Sequence, residues 1–136
     1  MDIINLTPHN VDVYEEEAFI NLEKLNATTW AADGVDPDGL IASFPSSGNV
    51  RIQTATKELE PIFGSIPCVR TFYGELEGID MVDIGDSSIL IVSLPTQSMS
   101  LQSGHYLAPQ MASPYRVVRN RSNTSLVLGC MGLSFQ

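Results

Sequence analysis

The residues best equipped for chemistry in this 136-residue chain are two histidines, several strand-borne arginines and a few aromatic and acidic neighbours. Arg51, Arg70, Thr71, Phe72, Tyr73 and Glu75, joined by Arg116 and Arg119, form the most suggestive group. A guanidinium forks onto phosphate or carboxylate and an adjacent ring stacks on a base, so the group suits a small anionic or nucleotide-like ligand. The ordinary alternative is that these arginines pair on the surface with the chain's many acids. His9 and His105 offer ring nitrogens as bases or ligands. A catalytic His9 needs an orienting carboxylate, supplied by Asp12 or Glu75, and a nucleophile, supplied by Cys68, Ser93 or Thr7. No Gly-x-Ser-x-Gly sequence backs such a triad, and a histidine beside a turn ordinarily serves local backbone hydrogen bonding. No catalytic residue is assigned.

The other site chemistries find little support. Cys68 and Cys130 lie far apart in apolar, strand-like runs, and both are expected as buried thiols. With no clustered Cys or His, no metal is expected. No glycine-rich stretch precedes a lysine and a helix, and no βαβ texture is present, so no nucleotide cofactor is expected either.

Hydrophobic residues make up 43% of the chain and charged residues 17%, a globular composition. The length suits one domain, residues 1–136, able to bury a core without disulfides or metal. Net charge is −9, unevenly spread. All sixteen acids lie between Asp2 and Asp86, offset there only by Lys24, Arg51, Lys57 and Arg70. From Ser87 onward the charged residues are Arg116, Arg119 and Arg121, with His105 beside them. An acidic envelope disfavours general nucleic-acid binding, whose affinity comes mainly from neutralising phosphates. The split suits contact between the basic part of one copy and the acidic part of another, so a homo-oligomer is expected. The longest apolar run, Ile89-Leu90-Ile91-Val92, is far short of the roughly 20 residues of a membrane span. Asp2 with no early Lys or Arg argues against a signal peptide, and the expected location is the cytoplasm.

The elements that must position these residues read as strands. Residues 2–6 form one, Thr7-Pro8-His9-Asn10 turns, and Val11-Asp12-Val13-Tyr14 alternates as a second, giving a hairpin or bent strand pair. Residues 15–43, holding the only tryptophan, read as a surface insertion with at most a helical turn or short hairpin. Residues 49–54 alternate as a strand, residues 57–63 read as a polar connection, and Ile66–Glu75 is the longest β-rich run. A tight turn at 83–86 leads into Ser88–Leu94, an uninterrupted apolar run expected as a central strand buried on both faces and ended by Pro95. Residues 96–103 suit one helical turn or a polar loop, and Tyr115–Met131 closes the chain as a hairpin. The predicted fold is all-β, a small single-domain β-barrel or β-sandwich of about seven or eight short strands.

Several of these stretches, in this order, carry a resemblance. Asn5-Leu6-Thr7-Pro8-His9 opens it, and Pro45 to Ile52 supplies a Pro-Ser-Gly turn before a strand ending in Arg-Ile. Gly64 to Val69 and Tyr73 to Glu75 follow, then Ile91 to Ser93, His105 to Pro109, and Gly129 to Leu133. The chain resembles a family of small uncharacterised proteins of bacteriophage and prophage genomes. Against that pattern residues 15–43 look inserted, and Gly104-His105-Tyr106 stands where other members show Arg-x-Asp. The resemblance implies a phage setting, hence the host cytoplasm, without an activity. Within it the first expectation is a non-catalytic, homo-oligomeric binding protein that sequesters a small anionic or nucleotide-like ligand, as an anti-defence protein would. Its ligand-binding candidates are His9, Arg51, Arg70, Tyr73, Glu75, His105, Arg116 and Arg119. The alternatives are a structural or accessory component of a phage particle, and a small hydrolase or isomerase using His9 and Glu75.

Overall fold

A computed structural model describes residues 2–79 and 84–136. Strands dominate it, as the sequence pattern predicts, and the described residues add one α-helix longer than the single turn expected. They form several small sheets of two or four strands, and no barrel closes among the described residues. The strands are also more numerous and shorter than expected, except for two.

The organising sheet has the order β1 (Ile3–Asn5), β10 (Ile89–Ile91), β11 (Met111–Tyr115) and β14 (Gly132–Ser134). β10 pairs in parallel with β1 and β11 and is the interior strand expected from its apolar run. Its side chains are buried in two directions. Leu90 and the following Val92 join Leu6, Val50, Leu107 and Met111 in one core cluster, while Ile91 joins Val11, Val13 and Cys130 in another. Fully burying each such side chain stabilises by about 1.5–3 kcal/mol. Pro95 stops the strand by starting a helix. α1 (Leu94–Gln102) is capped by Ser93, whose hydroxyl accepts from the Thr96 amide, and Pro95 sits in the first turn, where its missing N–H costs nothing. A helix of this length escapes sequence reading because its buried positions, Thr96, Gln97 and Ser100, are polar. Gln97 ties it down by donating to the carbonyls of Met111 and Ser134.

The chain's opening is a bent strand rather than a hairpin. After β1 it leaves the sheet, and β2 (Val11–Tyr14) pairs with β7 (Leu40–Phe44) instead of turning back on β1. Asn5, 1% exposed, fixes that corner. Its carboxamide Nδ2 donates to the carbonyls of His9 (2.8 Å) and Phe44 (2.7 Å), and its Oδ1 accepts from the Thr7 amide and hydroxyl.

Residues 15–43 are largely exposed but carry more regular structure than the helical turn or short hairpin expected. They hold β3 (Phe19–Ile20), β4 (Glu23–Lys24), β5 (Trp30–Ala32) and β6 (Gly34–Val35), between 3-10 turns at Glu16–Ala18 and Pro37–Gly39. β5 pairs in parallel with β12 (Val118–Asn120), which pairs with β13 (Val127–Gly129) in the expected closing hairpin. Phe19, Ala32 and Val118 make a third core cluster. Gly129 is needed beside it, since a Cβ there would stand 2.6 Å from the Tyr14 ring. Arg121 clasps the segment through Glu23 (3.4 Å), Asp33 (3.2 Å) and the Asn21 carbonyl (2.6 Å). Of the turn expected at 83–86, Asp83 lies outside the described residues; the Ser88 amide donates to the Gly85 carbonyl in the part that follows.

Replacing Asn5 with Ala removes the donor to the Phe44 carbonyl and the acceptor of the Thr7 amide at a part-buried corner, leaving the His9 carbonyl to the Thr7 hydroxyl alone. Asn5→Ala is expected to lose about 2–3 kcal/mol of stability in urea unfolding, with an unchanged slope against denaturant.

Candidate functional site

The remaining two strands are unlike the rest. β8 (Arg51–Ile62) and β9 (Ile66–Glu77), twelve residues each, pair antiparallel as a two-stranded arm. Lys57–Ile62, expected as a polar connection, continues the strand to its tip. Along the arm only Ile52, Cys68 and Leu76 are even half-buried, and Leu76 meets the body's core at the base. At about 3.4 Å per residue the arm is roughly 40 Å long.

Register assigns its faces, because opposed residues share a side and successive residues alternate. One face carries Ala55 opposite Phe72, Lys57 opposite Arg70 and Leu59 opposite Cys68; past an irregularity between Leu59 and Ile62, Ile62 lies opposite Ile66 at the tip. The other carries Thr54 opposite Tyr73, Thr56 opposite Thr71 and Glu58 opposite Val69. The first is the apolar and cationic face. Two like charges directly opposite each other destabilise a ribbon. Among the described residues neither Lys57 nor Arg70 has an ion-pair partner, and both ion pairs present belong to Arg121.

The tip is a tight turn, Ile62-Phe63-Gly64-Ser65, with φ of 55° at Phe63 and 71° at Gly64. Positive φ at both central positions is the type I′ geometry that favours Asn-Gly. Gly64 meets the demand freely, whereas Phe63 takes a left-handed conformation that costs a bulky residue about 1–2 kcal/mol. It is also 92% exposed. A strained, solvated phenylalanine at the farthest point of an arm has no explanation within its own chain.

The ligand-binding candidates divide. Arg51, Arg70, Tyr73 and Glu75 lie on the arm, Arg51 opposite Glu77 at its base and Glu75 within the irregularity between Tyr73 and Leu76. A shallow, open concavity lies along Gln53, Thr54, Phe72 and Tyr73. The others are on the body. His9 is exposed at the Asn5 corner, where its backbone carbonyl accepts the hydrogen bonds. His105 follows α1, its Nδ1 accepting from the Leu107 amide at 3.1 Å and its ring stacked on Tyr106. The Arg116 guanidinium lies 5.0 Å from the centroids of both Trp30 and Tyr115, so Trp30 is held within its own chain. Arg119 donates to the Thr124 carbonyl. No hydrogen bond joins His9 to Glu75 or Asp12 among the described residues, and the hydroxyls of Thr7 and Ser93 are engaged in the corner and the helix cap. Nor do three or more His, Cys, Asp or Glu gather closely enough there to hold a metal ion. No helix among the described residues is long and apolar enough to cross a membrane.

Sequence reading missed Lys57, Leu59, Phe63 and Ile66 as functional candidates. The available signal was a β-rich pair of segments joined by Phe-Gly whose mixed polarity fits no one-sided core. The two thiols separate as well. Cys130 is buried, and burial is the main cause that raises its pKa above the ordinary 9.0, helped by the nearby Asp12 charge and opposed by hydrogen bonding at Gly132 and Tyr115. Cys68 is only half-buried, contrary to expectation, because the arm has no interior.

Comparison with protein-family models, with curated proteins and with solved structures finds no match to this chain.

In dilute native protein, iodoacetamide is expected to alkylate Cys68 and spare Cys130, as read by peptide mass spectrometry. Since the native pKa of Cys130 exceeds the unfolded one, its contribution to stability is complete below pH 9 and declines as pH rises through and above that value. Replacing Cys130 with Ala is expected to flatten that decline in urea unfolding measured from pH 8 to 10.

Proposed function

We propose that this is a non-catalytic protein that works by assembling with copies of itself through the β8–β9 arm. In the phage setting that the sequence resemblance implies, such a protein is a structural or accessory component of a phage particle. One observation carries the reading: a long ribbon whose apolar and cationic face is uncovered, tipped by a strained and exposed phenylalanine. A two-stranded ribbon is marginal in water on its own, so the arm gains most from a partner that covers it. The body needs no such help, since its three clusters are already packed.

The second reading keeps the expected ligand. Lys57 and Arg70 beside Phe72 offer phosphate and base contacts to a small anion, on a surface too open to enclose one within a single chain. Assembly would have to close that site, so ligand binding is secondary to self-association.

Phe63→Asn separates a contact role from a structural one, because the two have opposite signs. Asn-Gly suits the type I′ turn, so the variant is expected to melt at the same temperature or slightly higher. Losing a buried phenylalanine contact of about 1.5–3 kcal/mol should weaken self-association roughly tenfold or more in sedimentation equilibrium. Native mass spectrometry of the unmodified protein reads subunit number and any retained ligand together.

A further inference from the structure

The arm's two faces and two edges differ in what they can bind. Pro61 on β8 and Pro67 on β9 lie near the tip, and proline has no N–H to offer an added strand. Both edges are thus interrupted over the outer part of the arm, which favours contact through a face. Of the two faces, the one bearing Lys57, Arg70, Leu59 and Phe72 combines uncovered apolar groups with two cations that have no ion-pair partner among the described residues. It calls for a surface that is acidic and equally unpaired.

The chain carries one. The 3-10 turns at Glu16–Ala18 and Pro37–Gly39 pack against each other closely enough that a Cβ on Gly39 would stand within van der Waals overlap of Ala18. That contact brings Glu15, Glu17, Asp36 and Asp38 onto one exposed surface around a shallow hollow, with the exposed Glu16 next to them in the chain. None of the five makes an ion pair among the described residues. Area argues for reciprocity. A ribbon roughly 40 Å long and about 10 Å wide offers a face on the order of 400 Å². One docked arm would bury about 800 Å² over both partners, in the range of weak or incidental contacts, whereas two exchanged arms reach about 1,600 Å², the size of a standard stable interface.

We infer that the Lys57–Arg70 face of the arm docks on the Glu15–Glu17 and Asp36–Asp38 surface of a second copy, in a two-fold exchange of arms. This rests on the self-assembly reading and names the surface that receives the arm. Unlike charges across the contact steer the two copies together, and the apolar side chains flanking the cations hold them once docked.

Two full-length variants test it. One reverses the arm (Lys57→Glu with Arg70→Glu) and one reverses the receiving surface (Glu16→Lys, Glu17→Lys and Asp38→Lys). Each alone sets like charges against each other and should self-associate at least tenfold more weakly than the unmodified chain in sedimentation velocity, with unchanged circular dichroism. Mixed in equal amounts, they place opposite charges at both contacts, so a 1:1 heterodimer should form in native mass spectrometry. Undiminished self-association of both variants overturns the inference while leaving self-assembly intact. So does a mixture that stays monomeric. A monomeric unmodified chain at every concentration overturns the self-assembly reading itself. Should either variant fail to fold, the unmodified chain still decides. Its association should weaken severalfold between 50 and 500 mM NaCl, and salt-independent association contradicts the charged docking face.

Discussion

Burial of β10 on both sides is the constraint on which the body of this protein depends. Leu90 and Val92 go to one cluster and Ile91 to the other, and parallel partners on both edges satisfy the strand's backbone. Parallel pairing forbids a tight hairpin between these strands, so β1, β10 and β11 must arrive from distant parts of the sequence. The Asn5 corner and α1 are the devices that make this work. The first bends the chain out of the sheet after β1, and the second carries it from the end of β10 back to the start of β11. Polar side chains do both jobs, because each must collect backbone groups that the small sheets leave unpaired.

The arm obeys no such rule. Its residues meet none of the three clusters except at the base, and its strands alternate between two solvated faces. Within one chain it places two cations opposite each other, exposes several large apolar side chains and strains a phenylalanine at its tip. Each feature costs stability in an isolated molecule. The cations and the apolar side chains beside them form one surface that a single docked partner would cover. The acidic turns at 15–17 and 36–38 show the complementary imbalance, an excess of negative charge held in place by a close Gly39–Ala18 contact.

What was legible in the sequence follows from where burial dictates the residue choice. The Ile89–Val92 run announced an interior strand because both its faces are covered. The closing hairpin and the Ile66–Glu75 strand were equally plain. α1 was not, since Thr96, Gln97 and Ser100 bury polar atoms and leave no apolar stripe to read. Within residues 15–43 the strands were under-read, because very short strands with small buried residues, such as Ala31 and Ala32, look like loop. The outer half of β8 misled for the opposite reason. With no core to face, Lys57, Glu58 and Glu60 need not alternate with apolar residues, so a continuous strand read as a connection. Of the candidate site, the sequence supplied Arg51, Arg70, Tyr73 and Glu75 but no sign that His9, His105, Arg116 and Arg119 sit apart from them on the body. Partnering across strands, which made Lys57 the companion of Arg70, becomes visible only with the register.

Hydrogen–deuterium exchange of the arm as a function of protein concentration tests self-assembly through the arm most directly. A solvated two-stranded ribbon opens readily and exchanges fast, whereas one docked on a partner is protected, and β10 in the same molecule serves as the internal reference. The expected result is slow exchange of amides across residues 54–60 and 68–73 in concentrated protein, becoming at least tenfold faster on dilution while β10 stays unchanged. Fast exchange of the arm at every concentration would contradict it.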